Sequence, residues 1–516
     1  MKKVFLGIIF IASMLIAFAS EASAWGDDWY VSAANYGRYY YFKQTKADSA
    51  ATRFQYDIYM GEFYTGGWYE VKHLKNTVGF NSTQNELTRR YFGWENKGLT
   101  IHVGNFYEVY DRGLVLNTFR DDDVSVDKAL DGVKLNWRTK YVDFDALSAV
   151  QNSDANFRPI VRGLRTKFKP LNMFHLGGAY VSYIDIDNKR QNITQVNQRF
   201  LLDYIDTYVE YARRNYTVTD FTNPDIVEKK VGDAIYFNST GYYSYFSALF
   251  EYKNYHDMFY PSSGYLNIPP AVNRQDRLLS TEAGNVFNPI LGERGFRTNL
   301  AFSLDDYWGA EIEYSQAKSR NPNTVENDEF TTEIRGRFLG DNTFRATIDL
   351  FNFSWQDSFV TSWTDTSSTN AFGKFKRNEL KPELDFEFVI DHLRSIEVNA
   401  YLINYSYTTP NLPNVPDTLP GYKHNMADSS DYTEKYLSIT FSQLPKLRVT
   451  VGGSLSDQDP SNDPEKMAFV EATYIWDNHE LTVFHGSQRG GLVCSGGVCS
   501  YHPTFEGLRV TLLSRL

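Results

Sequence analysis

The stretch Leu447-Arg448-Val449-Thr450-Val451-Gly452-Gly453-Ser454-Leu455 decides the fold. Leu447, Val449, Val451 and Leu455 share one parity, and Arg448, Thr450, Gly452 and Ser454 share the other. A β-strand sends successive side chains to opposite faces, so this segment has one apolar and one polar surface. The period recurs along the chain. Leu384, Phe386, Phe388 and Ile390 oppose Asp385, Glu387 and Val389; Leu437, Ile439 and Phe441 alternate with Ser438, Thr440 and Ser442. Ala310, Ile312 and Tyr314 alternate with Glu311, Glu313 and Ser315, and Val133, Leu135 and Trp137 with Lys134, Asn136 and Arg138.

Alternation alone also suits a soluble β-sandwich. Three features favour a membrane barrel. The segments run to about ten residues, the length of a tilted transmembrane strand. Their polar faces carry charges, as a water-filled lumen allows. Short and long connections alternate. Tight turns are expected at 139–140, 169–172, 203–206, 305–307, 339–342, 391–395, 444–446 and 477–479. Long polar loops are expected at 111–128, 255–296, 319–326, 356–371, 408–431 and 486–502. Lipid offers no hydrogen-bond partner to the backbone, so only helices or closed barrels span it. The expected fold is therefore all-β: a transmembrane antiparallel up-and-down barrel of about 24 strands, within a range of about 20 to 26, with short periplasmic turns and long external loops.

Composition agrees. Aromatic residues form 16% of the 516, with 37 Tyr and 37 Phe, and such rings favour pleated strands. The mean hydropathy of −0.44 excludes a bundle of apolar helices. The net charge of −11 argues against nucleic-acid binding, which needs Lys and Arg on phosphates. Lys2 and Lys3, the apolar run Val4 to Phe18 and Ala22-Ser23-Ala24 read as a signal peptide cleaved after Ala24. An uncleaved anchor is the rival. Residues 25–516 would then be the barrel, with 255–296 folded over or into the lumen because of its Pro269-Pro270 and its Leu278, Leu279 and Phe287. Leu508, Val510, Leu512 and Leu516 form a closing strand that resembles the C-terminal assembly signal of outer-membrane barrels. It ends in Leu where that signal ends in Phe.

Two further stretches, Gly104-Asn105-Phe106-Tyr107-Glu108 running on to Asp111-Arg112-Gly113-Leu114, and Ala129-Leu130-Asp131-Gly132-Val133-Lys134-Leu135, resemble a functionally uncharacterised group of bacterial outer-membrane barrel proteins. That resemblance implies the fold and the outer membrane as location. It implies no activity and no ligand.

Cys494 and Cys499, spaced CSGGVC, read as a loop-clamping disulfide in an oxidising compartment. Half a metal site with His485 or His502 is the alternative. Asp121-Asp122-Asp123 with Asp127 lacks the Gly and Glu of a calcium loop and reads as a solvated acidic stretch. Aromatic clusters at Tyr39 to Phe42, Phe351 to Trp355 and Tyr474 to Trp476 read as an interfacial girdle rather than a sugar-stacking track. His102 and His175 have no nucleophile beside them in sequence, and there is no Gly-x-Ser-x-Gly. No catalytic residue, metal or cofactor is assigned. The expected function is a porin-like channel for small polar solutes, with Glu311, Glu313, Asp385, Glu387, Arg138 and Arg448 as lumen charges. A non-conducting surface receptor, adhesin or accessory part of an envelope or secretion machine is the alternative; an outer-membrane hydrolase comes third. Outer-membrane lipid, lipopolysaccharide and the barrel assembly machinery are the expected partners.

Overall fold

The alternating segments zip into one sheet of 24 strands whose two edges meet. Trp29–Phe42 pairs with Ala47–Met60 on one side and with Phe505–Arg515 on the other, Tyr39 standing opposite Val510. Each barrel strand is antiparallel to its neighbours, and neighbours in the sheet follow one another in sequence. Closure removes every unpaired edge, the requirement for a sheet in lipid. The structure, a computed structural model, describes residues 29–515 apart from 76–80, 122–125, 152–158, 185–188, 220–226, 259–291, 320–324, 361–369, 409–428, 458–464, 490, 496–497 and 503.

One end of the barrel carries only tight turns, at 61–62, 97–98, 139–141, 172–173, 203–204, 244–245, 304–308, 339–341, 392–393, 444–446 and 477–478. This includes every tight turn expected from the sequence. At 304–308 the Asp305 carboxylate accepts the backbone N–H groups of Tyr307 and Trp308 at 2.8 and 2.7 Å. Those two donors hold its carboxyl below the usual range.

The outer surface is apolar. Val196, Leu300, Leu437 and Val451 are each more than half exposed, and many other large apolar side chains share that face. A surface of that extent needs lipid as its solvent. Trp137, Tyr141, Tyr204, Tyr242, Tyr243, Tyr245, Phe246 and Trp308 are exposed beside the tight turns, as an interfacial girdle requires. The inner surface carries ion pairs: Arg297 with Glu313 at 2.6 Å, Arg165 with Asp145 at 2.6 Å, Arg345 with Asp385 at 2.7 Å.

Three expectations change. Strands outrun the bilayer at the open end: Asn342–Val360 and Asn370–Asp391 have 19 and 22 residues. The loop read as 356–371 shrinks to 361–369, since Gln356 still pairs with Lys374 and Val360 with Asn370. Its Ser, Thr and Asp content marks solvent exposure, whereas ladder bonds are made by backbone. Second, of the loop read as external at 111–128, residues 111–118 turn inward. Third, of the connection read as 255–296, residues to His256 and from Gly292 are strand. Met258 is buried in the lumen core, and 259–291 lies outside the described residues.

Candidate functional site

The strand Leu99–Phe106 leaves its neighbour at Gly104. Pairing with Asn81–Asn96 stops at Tyr91 opposite Gly104, where φ is +107°. A Cβ there would stand 2.2 Å from the Arg90 carbonyl oxygen. One residue on, Asn105 Oδ1 accepts the Arg90 backbone N–H at 2.9 Å, replacing the ladder bond that the departing chain gives up. The chain then doubles back. Val109 bridges Asn117, the Tyr110 N–H donates to the Leu116 carbonyl at 2.9 Å, and the Thr118 N–H donates to the Glu108 carbonyl at 3.0 Å. The tip is Asp111-Arg112-Gly113, with positive φ at Asp111 and Gly113.

This hairpin packs on the inner wall. Tyr110, Leu114, Val115 and Leu116 are at most 1% exposed and join one apolar cluster with Leu147, Val161, Val181, Ile193, Ala212 and Tyr236. Each such side chain contributes roughly 1.5–3 kcal/mol over exposure to water. The polar tip is fastened separately. Asp111 accepts from Gln195 Nε2 and Asn197 Nδ2, both at 2.9 Å, with Lys167 Nζ at 3.3 Å. The Arg112 guanidinium lies 5.4 and 5.8 Å from the ring centres of Tyr208 and Tyr236. The other flank is clasped by Asp127 on Arg89 at 2.7 Å, Arg120 on Glu70 at 2.9 Å and Glu108 on Lys134 at 3.0 Å. Arg89 is buried, so losing Asp127 leaves a buried cation without its ion partner, at a cost of about 3–5 kcal/mol, whereas Glu70 keeps Arg53 at 3.3 Å and Lys72 at 3.2 Å if Arg120 is lost.

Two expected outcomes arise here. A Cβ on Gly163 would meet the Tyr110 hydroxyl at 2.8 Å, with Leu147 close behind. Gly163→Val should dislodge Tyr110 and expose the hairpin, read as faster maleimide labelling of a cysteine at position 115 in a Cys494→Ser, Cys499→Ser background. Unchanged labelling would contradict the packing. Lys128, within the segment, is buried, and burial pushes its amine down to about 7 from 10.5. A released amine would keep its proton to near 10.5, so release takes up a proton between those values. Docking should therefore tighten as pH rises from about 7 towards 10.5 and stay level below 7. Lys128→Met should abolish that dependence in the same labelling assay.

Each of the charges named from sequence as lumen-facing has a polar or charged neighbour. Glu311 and Glu313 accept from Asn299 at 2.6 and 2.9 Å, and Arg297 also holds Glu313. Asp385 binds Arg345 and Asn399, Glu387 is 3.5 Å from the Thr343 hydroxyl, and Arg138 binds Asp145. Arg448 lies 3.7 Å from Glu397, and this pair remains largely exposed. Leu508, Val510 and Leu512 fall on the outer face, with the parity of Leu481 and Val483. Leu516 lies outside the described residues. Cys494 stands opposite Cys499 in the small hairpin Gly491–Ser495 and Val498–His502; their side chains lie outside the described residues. His102 Nε2 donates to the Asn105 carbonyl at 3.0 Å, and Nδ1 lies within hydrogen-bond distance of the Tyr64 hydroxyl at 3.0 Å. Asp127 serves Arg89 and Arg120, whereas Asp122 and Asp123 lie outside the described residues.

The girdle reading needs correction at two of its three clusters. Tyr474 and Trp476 stack at 5.8 Å at the tight-turn end, Tyr474 exposed on the outer face. Phe351 and Phe353 are buried inside, beneath Arg377, and the Trp355 side chain lies outside the described residues. Tyr40 and Phe42 also face inward, edge-on to Phe505, whereas Tyr39 and Tyr41 face out. A run of adjacent aromatics necessarily divides between two faces.

Among solved structures, the chain is similar to the translocation pore of the P pilus usher PapC, at 8% identity over 94% of this chain and 98% of that one, TM-score 0.49. It is also similar to an E. coli P pilus tip assembly intermediate, PapC-PapD-PapK-PapG, at 7% identity over 95% and 61%, TM-score 0.53. A third is the siderophore receptor PirA from Pseudomonas aeruginosa, at 10% identity over 95% and 80%, TM-score 0.47. At these identities the likeness is one of fold. No functionally curated protein matches the chain. Residues 1–305 and 421–516 match the family of unknown function DUF6029, so the inward hairpin and the closing strand lie within the match: the chain belongs to that family.

Proposed function

We propose that this protein is an outer-membrane channel for small polar solutes, its lumen narrowed by the inward hairpin of segment 107–129. The observation that carries the reading is an asymmetry of the inner wall. The hairpin joins a buried apolar cluster contributed by strands from Val142–Gln151 to Phe246–His256, whereas Arg345, Glu397 and Arg448 on later strands stay about half exposed to water. Solute would pass along that uncovered wall. Size exclusion would dominate, because many of the acids stand beside bases, and only unpaired rings of one sign select strongly. Weak ion selectivity is therefore expected.

The test is conductance of the folded, heat-modifiable protein in a planar bilayer under a salt gradient. Discrete steps with a reversal potential near zero support the reading. Silence from folded protein would overturn it and favour a receptor or assembly role, in which the external loops act.

A further inference from the structure

On strands outside the cluster that the hairpin joins, the wall holds a recess of about 520 Å³. It lies on the strands Arg394–Thr408, Ser429–Gln443, Leu447–Ser456, Glu465–Trp476, His479–Gln488 and Phe505–Arg515. Its size falls in the usual range for a small-molecule site. We infer that this recess binds a neutral oligosaccharide of about two or three sugar rings.

Three features support that class. The first is aromatic surface presented to water. Tyr401 and Tyr436 stack on each other at 4.5 Å, nearly parallel, and Phe469 stacks on Phe484 at 5.4 Å. Tyr401, Tyr436 and Phe469 keep part of their surface open. The C–H face of a pyranose ring is apolar and packs on such rings, as the negative face of a π-system attracts its slightly positive hydrogens. The second is charge balance. Glu434 pairs with Arg489, and Glu471 pairs with Arg509 at 3.0 Å. Each ion already has its counter-ion, so a charged ligand would meet like charge as readily as opposite charge. A neutral ligand loses nothing there. The third is hydrogen-bonding density. The two ion pairs are joined along the wall by Asn399, Thr450, Ser454, Ser487 and Gln488. Carboxylates accept and guanidinium groups donate, while hydroxyls and amides do both, which suits ligand hydroxyls that also do both. A purely apolar ligand would leave these groups unpaired.

The inference deepens the channel reading by naming a solute class, and it rests on the recess being open to the lumen. Binding can be measured away from any membrane, so the two readings fail separately. The full-length protein is folded in detergent and titrated with maltotriose, cellotriose and triacetylchitotriose, using trigalacturonate and deacetylated chitotriose as charged counterparts. At least one neutral trisaccharide should bind at millimolar concentration or tighter, and more tightly than the charged sugars. Phe469→Ala and Glu471→Gln, each checked for heat-modifiable folding, should weaken it about tenfold. Glu471 is partly exposed, so its variant should fold even where Phe469→Ala does not. Absence of binding by all three neutral sugars, tighter binding of a charged one, or binding indifferent to Glu471→Gln would overturn the inference. Sugar binding by a barrel that conducts nothing would leave the inference standing and remove the channel.

Discussion

Removing the tip of the inward hairpin, by replacing residues 109–117 with a short Gly-Ser link, should raise single-channel conductance several-fold. The barrel wall does not depend on this segment, since Leu99–Phe106 and Leu130–Arg138 pair with each other directly from Leu99 opposite Trp137 to Phe106 opposite Leu130. What the replacement removes is the plug: Tyr110, Leu114, Val115 and Leu116 against the wall, and Asp111 in the grip of Gln195 and Asn197. A milder variant, Asp111→Ala with Arg112→Ala, keeps the chain length and removes only the polar fastening. The apolar cluster survives in it, so the hairpin should open intermittently rather than permanently. Its recordings should show the wild-type level interrupted by larger steps. Equal conductance in all three proteins would mean that the hairpin does not restrict the pathway.

Gly104→Val should be the most damaging single substitution in this region. Any side chain there meets the Arg90 carbonyl within 2.2 Å, in a backbone conformation at φ +107° that β-branched residues avoid. The strain is of order 1–3 kcal/mol for the conformation alone, before the clash. It can be relieved only by pulling the chain back into the sheet, which leaves the Arg90 N–H without Asn105 and withdraws the hairpin from the wall. The expected result is a loss of the heat-modifiable folded band, or a folded barrel with rapid labelling at position 115. Gly104→Ala should show the same change to a smaller degree. A Gly104→Val protein that folds with wild-type labelling would refute the account of how the chain enters the lumen.

The barrel was legible because lipid and water impose one rule on every strand. Leu447, Val449 and Val451 against Arg448 and Thr450 already separate the two solvents, and tight turns such as 477–478 mark one end. The inward hairpin was less legible. Its charged tip, Asp111-Arg112, and the run Asp121-Asp122-Asp123 read as a solvated loop, yet Leu114-Val115-Leu116 sits between them as an apolar run that water would not favour. That run, following Gly104-Asn105, was the available signal. The connection 255–296 carries a similar signal spread over a longer chain, most of it outside the described residues. The aromatic recess had no local signal at all. Tyr401, Tyr436, Phe469 and Arg509 come from strands far apart in sequence, and only the register of the closed sheet assembles them. The same register sets acids beside bases, as with Arg297 and Glu313, Arg345 and Asp385, and Arg509 and Glu471.

The most direct test of the central claim is a cross-link between the hairpin tip and the wall. Cysteines at positions 111 and 195, in a Cys494→Ser, Cys499→Ser background, replace two side chains that meet at 2.9 Å. A short bifunctional thiol reagent should join them in the folded barrel, and tryptic digestion should then yield one linked peptide from 84 residues apart in the chain. Failure to link these positions in folded protein, with both cysteines freely labelled, would place the segment outside the lumen and contradict the account.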